Sequence, residues 1–301
     1  MKRKRYLFFD IDGTLLAGGY ENTYVPQSTV TALNKCREAG HFLCIATGRL
    51  QAMAVDCMHD LGFTNMVSDG GYGVTIDNKF YGAAPLPRDP VIRLVDECES
   101  LGMPWALQID NTVFRSAPDS RFEEFTRDAY MKTRVVPGLD PRDHKNLYKM
   151  YIACLPGEEA QLKTLRELPW CRYHKEYFFV EPTDKAVGIR RILDELGADY
   201  KDAVVFGDAL NDMSMFVDDW TKVAMGNADP ALKARAEYEE SMGEAAGSDH
   251  HRRSIGYWMS RVRRERERSA ERGRQPASNG KGGDAGAEAS DNKPKTETRK
   301  E

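Results

Sequence analysis

Leu7-Phe8-Phe9-Asp10-Ile11-Asp12-Gly13-Thr14 decides how the rest of this 301-residue chain is read. An uninterrupted apolar run ends in two aspartates one residue apart, then a Gly-Thr turn. Apolar runs without alternation mark strands covered on both faces, and residues i and i+2 of a strand share a face. Asp10 and Asp12 are therefore expected to share one site where a first strand frays into a loop. Two carboxylates held together offer a nucleophile, an acid/base and a seat for a hard cation such as Mg²⁺. The stretch also matches a calcium loop at Asp10, Asp12 and Glu21. That reading is set aside, because Leu15 stands where such a loop needs glycine and a strand precedes it instead of a helix.

Outward from this strand the pattern repeats. Gln27 to Ala39 reads as an amphipathic helix stopped by Gly40, and His41 to Ala46 as a buried strand ending at Thr47-Gly48-Arg49. A helix over Leu50–Leu61 leads to a strand at Asn65–Ser68. After a change of pattern, Lys185–Leu196 is helical, Ala203–Phe206 is a strand ending at Gly207-Asp208, a helix begins at Met213, and Lys222–Met225 is a short strand before helical Pro230–Ala236. Strands and helices in alternation predict an α/β fold, a Rossmann-like parallel sheet with helices on both faces.

The middle differs. Trp105–Ile109 and Thr112–Ser116 read as strands joined by a two-residue Asp110-Asn111 hairpin turn. Helices are expected at Asp89–Leu101, Asp119–Met131 and Glu158–Glu167, and strands at Leu147–Cys154, Cys171–Tyr173 and Phe178–Val180. This α+β module, residues 84–182, is inserted in a split core of residues 1–83 and 183–260. Asp249–Arg264 has one apolar helical face, and the charged segment 261–301 reads as a disordered, solvated tail.

Composition narrows the function. With 41% hydrophobic residues the chain can bury a sizeable core. A formal charge of −4 gives no reason to expect nucleic acid or a membrane as partner, and no apolar run is long enough to span a bilayer. The basic start Met1–Arg5 is followed by an apolar stretch too short for a signal peptide, so a cytoplasmic protein, monomeric or homodimeric, is expected. Six cysteines without a CxxC pair predict buried thiols.

Four segments lie where strands end or a helix begins, the edge at which open α/β sheets bind ligands. They are Asp10–Thr14, Thr47-Gly48-Arg49, Lys185, and Gly207-Asp208-Ala209-Leu210-Asn211-Asp212. Singly each has an ordinary explanation as a turn, a helix cap or a surface lysine. In order at one edge they describe phosphoryl transfer. Asp10 would take the phosphoryl group and Asp12 would move the proton. Asp208 and the Asp12 carbonyl would help hold Mg²⁺. Thr47 and Lys185 would bind phosphate oxygens.

In these residues the chain resembles the haloacid dehalogenase superfamily of phosphohydrolases, in its Cof-like type IIB branch. Phe8–Leu15 resembles the first family motif, Ile45–Arg49 the second, Lys185 the third and Gly207–Met213 the fourth, with Val223–Ala228 like the stretch that follows. The resemblance implies Mg²⁺-dependent hydrolysis of small phosphorylated metabolites (sugar phosphates, nucleotides or cofactor phosphates) through an aspartyl-phosphate. It implies Asp10 and Asp12 as catalytic residues, Thr47, Gly48, Lys185 and Asn211 as phosphate binders, and Asp10, Asp12, Asp208 and Asp212 as the metal site. The inserted module would be a cap that selects the leaving group. A sugar phosphomutase and a non-catalytic regulator that binds a phosphorylated ligand are the alternatives. The chain departs from the family at Asp69-Gly70-Gly71, where Asn-Gly-Ala is usual, and at Tyr238–Ser241, where an apolar strand is expected.

Overall fold

The computed structural model describes residues 4–18, 23–128, 131–172 and 174–240. Tyr173, the expected helix at Asp249–Arg264 and the segment 261–301 lie outside them. In chain order the first half contains β1 (Tyr6–Phe9), α1 (Gln27–Glu38), β2 (Phe42–Ala46), α2 (Gln51–Asp60), β3 (Met66–Ser68), β4 (Gly73–Ile76), β5 (Lys79–Ala83) and α3 (Arg88–Leu101). There follow β6 (Trp105–Gln108), β7 (Phe114–Ala117), α4 (Arg121–Thr126), β8 (Lys132–Val135), β9 (Lys149–Ala153), β10 (Trp170–Cys171) and β11 (Tyr177–Val180). The last are α5 (Lys185–Glu195), β12 (Ala203–Gly207), β13 (Thr221–Met225), α6 (Pro230–Lys233) and β14 (Tyr238–Glu240).

The core sheet has the order β14-β13-β12-β1-β2-β3-β4-β5. Six neighbouring strands, β14 to β3, run parallel, and β4 and β5 extend the sheet antiparallel. The apolar runs are explained by burial on both sides. Leu7, Phe9, Leu43 and Ile45 pack with Leu33 of α1 and Cys57 and Met58 of α2. Phe8, Cys44 and Val205 pack on the other face with Ile189, Ile192 and Leu193 of α5. Strands 1 to 3 step outward on one side of β1, and strands 12 to 14 on the other. The chain order therefore reverses at the β1/β12 pair, and the crevice beyond their carboxyl ends is where such sheets bind ligands.

The second sheet has the order β10-β11-β9-β6-β7-β8 and is antiparallel except for β7 and β8. Its outer face buries Leu107, Met150, Ile152 and Phe178 against Val91, Leu94 and Cys98 of α3. Its inner face places Tyr151, Tyr177 and Phe179 with Phe122 of α4 and with Leu50 and Met53, which belong to the core. The inner face thus rests on the segment that follows Thr47-Gly48-Arg49.

Several local expectations are corrected. The two-residue turn expected at Asp110-Asn111 forms instead at a second Asp-Asn dipeptide, Asp77-Asn78, between β4 and β5. Asp77 and Asn78 have φ of 48° and 63°, as a type I′ turn requires. Around Asp110 the loop is longer, from Ile109 to Val113. Gln108 Nε2 donates to the carbonyls of Asp110 (2.7 Å) and Thr112 (2.9 Å) and holds it open. The helix expected at Asp119–Met131 shortens to α4, which Arg127 ends in the left-handed conformation with φ 47°. The helix expected at Glu158–Glu167 is two 3₁₀ turns, Glu158–Gln161 and Thr164–Glu167. Glu97 explains the break, because it accepts the Thr164 N–H that a continuous helix would give to Ala160. The helix expected from Met213 is a 3₁₀ turn over Leu210–Met215. Strands β4, β5 and β8 are additional. Tyr238–Glu240 pairs with β13 although its sequence is polar, because an edge strand faces water on one side. All six cysteines remain thiols. Among the described residues no helix is long and apolar enough to cross a membrane.

The I′ turn yields a stability prediction. Asn78→Val puts a β-branched side chain at positive φ and is expected to lower stability by about 1–2 kcal/mol, read as a reduced urea midpoint. An unchanged midpoint would contradict the assigned turn.

Candidate active site

The two strand ends at the crevice deliver Asp10 and Asp208, both buried. α5 delivers Lys185 at its first turn. Asp184 caps that helix by accepting from Ala186 N at 3.0 Å, and Lys185 N donates to Ser214 Oγ at 3.1 Å. The Lys185 ammonium donates to Asp10 Oδ1 at 2.6 Å and to Asp212 Oδ1 at 2.5 Å. Asp212 Oδ2 accepts from the backbone N–H of Asp208 (2.9 Å) and Ala209 (3.2 Å), which shapes the turn after β12. Thr14 Oγ1 donates to Asp208 Oδ1 at 3.1 Å, and Asn227 Nδ2 bridges Asp208 Oδ2 (3.3 Å) and the Gly13 carbonyl (3.1 Å). Gly13 has φ +91°, and a Cβ there would lie 2.1 Å from Asp208 Oδ2. The close approach of the first and fourth segments therefore requires glycine at this position.

Asp10, Asp208 and Asp212 bring one carboxylate oxygen each within 4.8 Å of one another. Burial, reinforced by the charge of Asp212, pushes Asp10 up to about 7 against the opposing pull of Lys185. Burial together with Asp10 and Asp212 pushes Asp208 up to about 8. Lys185 is moved the other way. Burial disfavours its charge, but Asp10 and Asp212 outweigh burial and raise its pKa. Three buried carboxylates share this one ammonium, so the cluster carries excess negative charge on hard oxygen donors. That donor set suits a hard divalent cation.

The Asp12 carboxylate is not part of this cluster. Arg49 grips it with both arms of its guanidinium, Nε to Oδ2 at 2.9 Å and Nη2 to Oδ1 at 2.5 Å. The Asp12 side chain is 36% exposed, while that of Arg49 is buried. Thr47 is buried, and its Oγ1 accepts from Arg49 N at 3.1 Å. The hydroxyl therefore caps the turn and keeps its own proton to donate. A Cβ on Gly48 would meet nothing within 4 Å, so its backbone borders open space. Asn211 is half-buried next to Asp212. Arg49 stands in the second segment, but its bidentate grip on Asp12 was not legible there. Thr14, Ser214 and Asn227 were missed because only the tertiary fold brings them to the site.

A buried carboxylate held against a lysine thus stands at the switch point of a doubly wound sheet, the place where such sheets bind ligands. The chain belongs to the haloacid dehalogenase-like hydrolase family, whose model matches residues 7–247. It is 29% identical over 238 residues to YkrA of Bacillus subtilis (strain 168), which bears a provisional phosphatase name; the match covers 78% of this chain and 91% of that protein. It is 26% identical over 257 residues to the pyridoxal phosphate phosphatase YbhA of Escherichia coli (strain K12), covering 77% and 91%. The solved subclass IIB sugar phosphatase BT4131 shares its fold, with a TM-score of 0.61, 23% identity and coverage of 88% of this chain and 99% of that one.

The raised carboxyls set a pH dependence. A carboxyl whose folded pKa lies above its unfolded value stabilises fully below the unfolded value, 3.8 here, and that stability is lost as pH rises through the folded values of about 7 and 8. In the absence of divalent cations the urea midpoint is expected to fall from about pH 5 to about pH 9, and Asp208→Asn should flatten the fall. A midpoint that climbs over this window would contradict the electrostatic description.

Proposed function

We propose that the chain is a Mg²⁺-dependent phosphatase that hydrolyses small phosphorylated metabolites through an aspartyl-phosphate on Asp10. The observation that carries this reading is the contact of the Lys185 ammonium with Asp10 at 2.6 Å inside a cluster of three buried carboxylates. An Asp10 oxygen attacks phosphorus, and the ester P–O bond breaks. Asp12 gives the departing oxygen a proton. It then takes a proton from the water that cleaves the Asp10–phosphorus bond and releases inorganic phosphate. Both Asp12 oxygens are engaged by Arg49, so each proton transfer requires that fork to loosen. Lys185, the Thr47 hydroxyl and the Gly48 N–H face the phosphoryl oxygens with positive charge and donors, where the transferring group carries its charge. Asp10, Asp208 and Asp212, with the Asp12 carbonyl, would hold Mg²⁺, which supplies neutralisation between the attacking carboxylate and the phosphate.

Residues 84–182 act in this reading as the cap, and residues 1–83 and 183–260 as the catalytic core. Asn111 of the cap supports the division. Its Oδ1 accepts from Ala52 N at 3.1 Å and its Nδ2 donates to Gln51 Oε1 at 2.7 Å, so the cap docks at the start of α2, beside Thr47-Gly48-Arg49. Sugar phosphates, nucleotides and cofactor phosphates are the substrate classes, and the named activity of the YbhA relative supports the last of these.

A panel of phosphorylated metabolites and an activated aryl phosphate, assayed with Mg²⁺, tests the reading. Phosphate release from at least one ester is expected, and release from none of them refutes it. Asp10→Asn should lower kcat at least about a thousandfold while leaving the unfolding midpoint measurable. Retained turnover would remove Asp10 as the nucleophile.

A further inference from the structure

The turn that departs from the family, Asp69-Gly70-Gly71, sits between the catalytic loop and the segment by which the chain returns from the cap. Asp69 N donates to the Arg49 carbonyl at 2.8 Å, and Gly70 N to the Thr47 carbonyl at 3.3 Å. A Cβ on Gly70 would lie 1.8 Å from the Pro182 carbonyl oxygen, and one on Gly71 2.0 Å from that of Asp184. The turn is thus pressed against the segment 182–184, and the Asp69 side chain is close enough to Glu181 to feel its charge. Its Oδ2 accepts from Ser68 Oγ (2.7 Å) and Gln51 N (3.2 Å), and its Oδ1 accepts from neither. Gly73 makes the seat, since a Cβ there would lie 2.4 Å from Asp69 Oδ2.

The inner face of the cap sheet supplies the opposite wall. Lys149 and Glu181 are buried and form an ion pair there, and both act electrostatically on Asp69. Glu181 Oε1 also accepts from the Cys171 thiol at 3.1 Å. Gln108 is the cross-strand partner of Lys149 on the same face, and it is 1% exposed. Its amide N–H groups are spent on the Asp110–Thr112 loop, and its Oε1 is a buried acceptor with no donor. Lys149 is paired with Glu181 and also attracts Asp69, so two carboxylates share one ammonium and one negative charge is left over. The wall thus offers a carboxylate and an orphaned amide oxygen, both acceptors, and one ammonium that is already paired.

We propose that Asp69, Glu181 and Gln108 form the leaving-group subsite and select phosphate monoesters whose leaving group carries a protonated amine. This inference rests on the phosphatase reading and adds the substrate class. An ammonium would take the Asp69 Oδ1 and Gln108 Oε1 acceptors and balance the excess charge. A leaving group with a second anion, such as another phosphate or a carboxylate, would meet Asp69 and Glu181 as like charges in a buried place, which is strongly unfavourable. A neutral hydroxyl in the same position would satisfy the acceptors without balancing the charge.

Steady-state kinetics with glucosamine 6-phosphate, glucose 6-phosphate and fructose 1,6-bisphosphate test it. The kcat/KM of the wild-type protein is expected to favour the amine over the matching hydroxyl by about tenfold or more, with the bisphosphate lowest. Asp69→Asn introduces the residue usual in the family, so the turn should survive it. In this variant the amine-to-hydroxyl ratio should collapse toward one, and Glu181→Gln should lower it as well. A packing role for Asp69 would change both esters together and leave the ratio where it was. A wild-type ratio near one, a preference for the bisphosphate, or an unchanged ratio in Asp69→Asn would overturn the inference. Failure of the wild-type protein to release phosphate even from acetyl phosphate would instead remove the phosphatase reading beneath it.

Discussion

The Lys185 ammonium, wedged between Asp10 and Asp212, is the contact on which the site depends. Isolated carboxylates removed from water are costly, and a cation within hydrogen-bond reach is what makes them tolerable. Lys185 reaches Asp10 across 175 residues of sequence and Asp212 across 27. These residues meet only when the chain has left the core after β5, built the second sheet and come back into α5. The charge at the centre of the site is thus balanced by the helix with which the chain re-enters the core. Even then the balance is incomplete, and the raised Asp10 and Asp208 carboxyls are its signature. The same excess of negative charge on oxygen donors suits a hard divalent cation.

The return of the chain also explains why the Asp69-Gly70-Gly71 turn is built as it is. Pro182 and Asp184 press on the two glycines so closely that neither could carry a side chain. Gly70 and Gly71 both have positive φ, at 62° and 114°, and Asp69 joins them at 54°. A non-glycine residue in that region persists only where its surroundings hold it. Here Ser68, Gln51 and Arg49 do so through hydrogen bonds. The turn ties the loop after β2 to the segment by which the chain returns from the second sheet.

What was legible in the sequence follows from the range of the interactions. The apolar runs at β1, β2 and β12 are legible because both faces of those strands are buried, and the acids at their ends stand out against that background. The four segments were legible because each sits at a strand end or helix start. The Arg49 grip on Asp12, and the places of Thr14, Ser214 and Asn227, depend on which loops meet, and nothing in their local sequence marks this. The same limit governs Asp-Asn. At 77–78 the tertiary contacts agree with the tight turn, since Asp77 N donates to Asn65 Oδ1 at 3.0 Å and Asn78 N to the Thr64 carbonyl at 2.8 Å. At 110–111 Asn111 is drawn to the N-terminus of α2 and Gln108 holds the loop open, so tertiary contacts override the local preference.

Phosphoryl chemistry and selectivity therefore draw on different kinds of residue. The chemistry needs charge and donors at a fixed point, and strand ends provide them wherever the sheet reverses its order. Selectivity needs a second wall, and the wall proposed for it is the inner face of the second sheet, which has its own register. Gln108 pairs with Lys149 across β6 and β9, and Glu181 follows β11, which pairs with β9. A slip of one residue in β9 would turn Lys149 outward and bring Met150 to the inner face. The outer-face cluster of Met150, Ile152 and Phe178 resists that slip by burial. The hydrophobic side of the second sheet thereby fixes the polar side, so packing on the outer face sets which charges stand on the inner one.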